Sequence, residues 1–352
     1  MVGSGPKVSA VAPAHRFDEA KLEAYLQAHI EGFGTDMVVQ QFQGGASNPT
    51  FLLTTQTAAG PWMYVLRKKP PGVLLASAHQ VDREYRAMSA LKQTDVPVPV
   101  MRWLCQDAEV IGADFYVMDY LEGRIFRDAT LPGLEPAERA AIYDDLNATL
   151  AKLHRVDFEA VGLGDYGRQG GYFERQAARW IKQYRGAETD LIPEMEELIA
   201  ILPGRIPPDD TVTIAHGDYR LENVMFHPTE PKLIAVLDWE LSTLGHPFAD
   251  IAYNAFLWRS TSPGWGSLVG VDFAASGIPT EADYVAAYCR RTGRDSIPDW
   301  NFYMAFGIFR LASISQGVYR RVLNGVAASD RPAENGTPIL AKQALAALRG
   351  EL

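Results

Sequence analysis

The pattern of apolar and polar positions predicts short strands up to about residue 121 and long helices beyond it. Residues 17–30, with Leu22, Tyr25, Leu26 and Ile30 at helical spacing behind Asp18, read as a helix. Residues 38–55 read as strand, turn and strand, the turn holding Gly44, Gly45, Ser47 and Asn48. Residues 62–67 form another strand; its alternation puts Val65 and Arg67 on one face and Tyr64, Leu66 and Lys68 on the other. A helix over 77–91 carries the apolar stripe Val81, Tyr85, Met88 and Leu91, with Glu84 beside it. Two more strands follow at 101–105 and 115–118.

Helical spacing dominates the remainder. Residues 136–156 bury Ile142, Leu146, Leu150 and Leu153; its His154 fills a polar gap at the helix end. On a helix over 172–185, Arg175, Arg179 and Lys182 share one face, a stripe that reads equally as a solvated surface. Further helices are predicted at 190–202, from Asp250 to about 258, at 280–291 behind a Thr-x-x-Asp cap, and at 300–323. Small and polar residues predict loosely held segments up to about Ala14 and over 328–338, and a lid-like loop after 258.

With 352 residues, 47% of them hydrophobic, the chain is large enough for one two-part domain or two small ones. A net charge of -10 argues against a nucleic-acid partner, which requires a basic face. The 2 cysteines, Cys105 and Cys289, exclude a disulfide framework and a cysteine zinc site, and are expected to be reduced core residues of a cytoplasmic protein. No apolar run is long enough to span a membrane, so no membrane partner is expected, and the sequence leaves the oligomeric state open.

The chemistry concentrates between Ile214 and Asp250. Two strand-like runs, 211–215 and 233–237, each end in polar residues: His216, Gly217, Asp218 and Asn223 after the first, Asp238, Glu240 and Asp250 after the second. Two carboxylates and an amide at such strand ends suit a hard cation with oxygen ligands, such as Mg2+ carrying phosphates. Either motif alone is also an ordinary turn; the combined spacing H-G-D-x-x-x-x-N, strand, Asp is far more specific.

At these residues the chain resembles the aminoglycoside phosphotransferase and choline kinase family, and within it a subgroup related to the kinase-like domain of acyl-CoA dehydrogenase-associated phosphotransferases. Protein kinases have H-R-D and D-F-G here. Gly217 in place of Arg, and Trp239-Glu240 in place of Phe-Gly, favour the small-molecule branch. The resemblance implies an α+β, protein-kinase-like two-lobed fold: a small, mainly antiparallel β lobe with one key helix over 1–121, and a larger, mainly helical catalytic and substrate-binding lobe over 122–352.

It also implies ATP and Mg2+ as cofactors and a small-molecule hydroxyl as acceptor. Asp218 is the implied base or orienter, with Arg220 near the γ-phosphate, Asn223 and Asp238 as metal ligands, and His216 and Asp250 bracing the loop. For the nucleotide it implies Ser47 and Asn48 in the turn, Arg67 paired with Glu84, Lys68 as the alternative cation, and a hinge of Met118, Asp119 and Leu121. The basic stripe and a shortage of acids between Phe256 and Gly277, where Asp272 stands alone, fit a hydroxyacyl-CoA acceptor. An aminoglycoside or choline-like amino-alcohol is the alternative; a non-catalytic ATP-binding protein is the alternative from another class.

Overall fold

The computed structural model describes residues 7–43, 48–70, 80–261, 266–325 and 334–352. Its chain forms two compact units: the described residues of Met1–Ile125, Ala160–Leu163 and Glu222–Ser242 make the first, and those of Phe126–Glu159, Gly164–Leu221 and Thr243–Leu352 the second. Ser47, Gly44, Gly45 and the predicted helix start at 77–79 lie outside the described residues.

The first unit begins with β1 (Val8–Ser9), α1 (Glu19–His29), β2 (Thr35–Phe42), β3 (Thr50–Thr57), β4 (Gly60–Lys68), α2 (Val81–Leu91), β5 (Met101–Cys105), the single turn α3 (Ala108–Ile111) and β6 (Phe115–Asp119). The strands form one antiparallel sheet in the order β1-β2-β3-β4-β6-β5. Leu22 and Leu26 of α1 pack with Phe51, Leu53, Leu66, Phe115 and Val117 in its core. Residues 8–15 are better held than their composition predicts. Val8 and Ser9 pair with β2, and Gln41 bonds the Ala12 N–H at 3.0 Å and the His15 ring at 2.8 Å. On α2 the buried face is Val81, Glu84, Ala87, Met88 and Leu91, so an acid replaces Tyr85 in the expected stripe.

The second unit carries α4 (Pro136–His154), α5 (Tyr172–Ala187), α6 (Pro193–Ile201) and β7 (Thr213–Ala215). The chain then supplies the antiparallel hairpin β8 (Val224–Phe226) and β9 (Leu233–Val236) to the first unit. It returns to the second with β10 (Thr243–Gly245), paired to β7, followed by α7 (Pro247–Ala255), the turn α8 (Phe273–Ser276), α9 (Glu281–Thr292), α10 (Trp300–Leu323) and α11 (Thr337–Arg349). Ile142, Leu146, Leu150 and Leu153 are all fully buried, as their spacing predicts. Thr280 caps α9 by accepting from the Asp283 N–H at 3.1 Å. Cys105 and Cys289 are buried free thiols. Among the described residues no helix is long and apolar enough to cross a membrane.

The long α10 tolerates glycine in its interior. A Cβ added at Gly317 meets nothing within 4 Å, so Gly317→Ala gains helix propensity without a clash. It is expected to raise stability by about 1 kcal/mol, read as a shift in the denaturant midpoint; an unchanged or lower midpoint would show that the site needs glycine for another reason.

Candidate functional site

In the second unit, β7 ends at Ala215 and the polar loop begins. The loop is held by one buried carboxylate: Asp250, on the first turn of α7 and 1% exposed, accepts the His216 N–H at 2.6 Å and the Gly217 N–H at 2.8 Å. His154, at the end of α4, stands 3.3 Å from the same carboxylate through Nε2 and 2.6 Å from the Tyr288 hydroxyl through Nδ1. Gly217 has φ 83, the left-handed region that penalises any side chain, which gives a backbone reason for glycine between His216 and Asp218. Its carbonyl accepts from Arg310 Nη2 at 2.5 Å.

The buried His216 ring accepts the Asp218 N–H at 3.2 Å, fixing the backbone that carries Asp218. The Asp218 side chain is half-buried, and its Oδ1 accepts the Tyr253 hydroxyl at 2.6 Å. The next residue, Tyr219, is fully buried and donates to the Leu146 carbonyl at 2.8 Å. Burial pushes the Tyr253 phenol well up, helped by the Asp218 charge, so it remains a donor to that carboxylate. Arg220 is half-buried in the same loop.

In the first unit, Arg67 on β4 is the hub. Its guanidinium lies 3.3 Å from Glu84, 2.8 Å from Asp238 and 3.4 Å from Glu240. The Glu84 contact is an ion pair whose angle falls short of a hydrogen bond, since Arg67 Nε has no such partner among the described residues. Glu84, 0% exposed, instead accepts from Asn48 Nδ2 at 3.0 Å and the Tyr116 hydroxyl at 3.1 Å. Burial pushes the Glu84 carboxyl up to about 7; Arg67 pulls it down, while Asp238 and Glu240 push it further up. Burial disfavours the Arg67 charge, yet Tyr116, Glu84, Asp238 and Glu240 together hold its pKa above the usual value. Three carboxyl groups thus face one guanidinium.

Lys68 turns to the other face of β4, as alternation dictates. It is 5% exposed, with Nζ 5.1 Å from the Phe17 ring centre and 5.9 Å from that of Phe51, and burial lowers its pKa.

The β8/β9 register sets the remaining ligand candidates together. Val224 pairs with Val236, and the Asn223 carbonyl accepts the Leu237 N–H at 2.8 Å, so Asn223 and Asp238 sit at the same end of the hairpin. Asp238 has φ 63, a left-handed conformation that Asp tolerates better than most residues. Among the described residues no group of three or more His, Cys, Asp or Glu side chains is arranged to hold a metal alone.

At the end of β6, Met118 pairs with Val65 of β4. Asp119 forms a two-pronged ion pair with Arg102, both contacts at 2.6 Å, and its N–H is committed to the Val100 carbonyl at 2.9 Å. A hinge contact from Asp119 would therefore use its carbonyl. Leu121 lies just beyond, in the non-helical segment before Arg124.

The predicted basic stripe on α5 has a structural role at one end: Arg175 donates to the Gly170 carbonyl and, at 2.9 Å, to that of Arg168. Arg179 and Lys182 are exposed, and Arg179 lies over the Trp180 ring at 5.3 Å. The adjacent face of the same helix, Tyr172, Gln176 and Trp180, lines a recess with Tyr303, Phe306 and Arg310 of α10. Sequence reasoning missed Tyr253 and Arg310, and gave Glu240, noted after the second strand, no role. Both missed residues left a signal: Tyr253 follows Asp250 by three on one helix face, and Arg310 is the lone charge in the apolar stretch 300–319.

Comparison with known proteins gives the family. The family model of the phosphotransferase enzyme family matches residues 38–304. The chain is 46% identical over 325 residues to acyl-CoA dehydrogenase family member 11 of Rattus norvegicus, covering 90% of this chain and 41% of that one. It is 45% identical over 334 residues to family member 10 of Mus musculus, covering 94% and 31%. It thus spans less than half the length of these curated relatives. A solved structure from Ralstonia eutropha, provisionally assigned as an aminoglycoside phosphotransferase, superposes with a TM-score of 0.87 at 47% identity, covering 95% of this chain and 99% of that one. Choline kinase from Cryptosporidium parvum shares the fold, with a TM-score of 0.64 at 12% identity over 94% and 95% of the two chains. The chain belongs to the phosphotransferase enzyme family and has its kinase-like α+β fold.

Proposed function

We propose that the chain is an ATP- and Mg2+-dependent phosphotransferase that passes the γ-phosphoryl group to a hydroxyl of a small molecule, with a hydroxyacyl-CoA as the leading acceptor. The observation that carries this reading is the convergence of Arg67 on Glu84 and Asp238, a cation aimed by a buried acid beside a metal-ligand candidate. Arg67 holds the α- and β-phosphates, and Met118, Asp119 and Leu121 border the adenine. Asn48 serves indirectly, by fixing Glu84.

Asn223 and Asp238 fit Mg2+, a small oxygen-seeking ion that usually takes one or two protein ligands and fills its shell with phosphate and water. When bound, Mg2+ would neutralise charge on the phosphates. Asp218 orients the acceptor hydroxyl and takes its proton, Arg220 stabilises charge on the transferred group, and His216 and Asp250 hold the loop. The acyl-CoA dehydrogenase relatives support a CoA-borne hydroxy acid, as does the lone Asp272 between Phe256 and Gly277, which poorly suits a polycationic aminoglycoside.

The test is Mg2+-ATP phosphoryl transfer to parallel pools of hydroxyacyl-CoAs and aminoglycosides, read by mass spectrometry. Product in the CoA pool alone supports the reading; product in the aminoglycoside pool alone overturns the acceptor, and silence in both overturns the choice of either. Arg67→Ala is expected to weaken Mg2+-ATP binding about tenfold or more, the worth of a charge-assisted contact. Lys68→Ala, by contrast, should change ATP affinity by less than about threefold and chiefly lower stability, because its stem and cation pack on Phe17 and Phe51. Calorimetric titration of both variants decides which cation serves the phosphates; the reverse order would assign Lys68.

A further inference from the structure

Arg310 is a half-buried cation in an otherwise uncharged stretch of α10, wholly within the second unit. Among the described residues no carboxylate pairs with it, its Nε is buried without a hydrogen-bond partner, and its one hydrogen bond runs from Nη2 to the Gly217 carbonyl. A buried N–H left unmatched lowers stability, and an apolar side chain of similar volume often replaces such a cation without loss. Packing alone therefore does not account for an arginine here. What it reaches does. α10 passes close to α7, where a Cβ added at Gly307 would lie 3.9 Å from the Tyr253 backbone nitrogen. Three residues on, along the same helix face, the Arg310 guanidinium lies 5.4 Å from the Tyr253 ring centre and 5.6 Å from that of Trp180, within cation–π range of both.

From that place Arg310 acts on Asp218 along two routes. The peptide plane between Gly217 and Asp218 is held at both polar ends: Arg310 donates to its carbonyl, and the His216 ring accepts its N–H at 3.2 Å. Glycine at 217 leaves this plane the freest to turn, and turning it swings the Asp218 side chain. Along the second route, Arg310 packs on the Tyr253 ring, whose hydroxyl donates to Asp218 Oδ1 at 2.6 Å. We propose that Arg310 is a positioning residue for Asp218: it sets the direction of that carboxylate through the Gly217 carbonyl and the Tyr253 ring, without itself touching substrate. This deepens the proposed function and rests on its assignment of Asp218 to the acceptor hydroxyl.

The experiment follows Mg2+-ATP phosphoryl transfer by the whole chain to whichever of the hydroxyacyl-CoA and aminoglycoside pools reacts. It compares wild type, Arg310→Met, Asp218→Asn and the double variant. Arg310→Met should lower kcat about 10–100-fold, the range for losing a hydrogen bond from a charged group, with the KM for ATP within about threefold of wild type. In the Asp218→Asn background the same substitution should cost less than about threefold, because a residue that acts through Asp218 has nothing left to position. Amide hydrogen exchange over residues 214–222, measured without substrates, should be faster in Arg310→Met than in wild type. A kcat within about threefold of wild type, a loss confined to the KM for ATP, an equal loss with and without Asp218, or unchanged exchange would each overturn the proposal. If Arg310→Met does not fold, Arg310→Lys, which keeps the charge but not the planar guanidinium beside the two rings, enters the same cycle with a loss of about tenfold expected. Silence of the wild-type protein toward both pools would sink the phosphotransferase reading, and the exchange result would then decide whether Arg310 holds the loop.

Discussion

Asp218→Asn is expected to lower the turnover of phosphoryl transfer by about 10²–10⁴-fold, the usual contribution of a positioned general base. The substitution is informative because it changes so little else. Asparagine keeps an oxygen that can accept from the Tyr253 hydroxyl, which stands 2.6 Å from Asp218 Oδ1. Thermal stability and ATP affinity should therefore stay close to wild type while turnover collapses. Tyr253→Phe removes only the hydrogen bond and should cost about tenfold, in line with a bond to a charged group worth about 1.5 kcal/mol. Steady-state ADP release with and without acceptor, beside a melting curve for each variant, checks both. Turnover of Asp218→Asn within about tenfold of wild type would remove Asp218 from the role of base or orienter.

Much of this arrangement is legible in the sequence, for reasons visible in the structure. The long helices announce themselves through fully buried residues at helical spacing, such as Leu146, Leu150 and Leu153. The loop at His216 is legible because its motif is local: His216, Gly217, Asp218 and Asn223 lie close together along the chain. What sequence spacing could not supply was the long-range partner. Arg67 meets Asp238 across 171 residues, and Arg310 reaches Gly217 across 93. The α5 stripe shows a second limit. Cations marked one face of that helix, yet the recess is lined by the neighbouring face, where Tyr172, Gln176 and Trp180 carry no charge to mark it. The last helix, Thr337–Arg349, buries Ala341, Ala344 and Ala347, and alanines contribute almost no periodic contrast. Glu84 was found by analogy with a kinase ion pair; the complete burial that raises its pKa, and its hydrogen bonds from Tyr116 and Asn48, are not shown by the helix pattern.

Asp250→Ala should destabilise the protein by about 3–5 kcal/mol at neutral pH, the cost of breaking a buried charged network from one side. The carboxylate is the shared acceptor for two backbone N–H groups, at 2.6 and 2.8 Å, and alanine leaves both without it. Asp250→Asn should be nearly as damaging, because one of the two oxygens becomes an NH2 group facing a donor. The effect has a defined pH dependence. Burial alone would raise the Asp250 pKa, but the His154 hydrogen bond, the charges of His154 and His216 and the Gly217 N–H hold it below the usual carboxylate value. A carboxylate lowered in the folded state contributes stability that is present above its unfolded pKa, about 3.9, and is lost as pH falls through the lower folded value. The gap between wild type and Asp250→Ala should thus be full at pH 7 and narrow only in acid, below about pH 4. Urea unfolding of both proteins across that range measures it. A gap under about 1 kcal/mol at neutral pH, the scale of an exposed ion pair, would show that the His216–Gly217 backbone holds itself without Asp250.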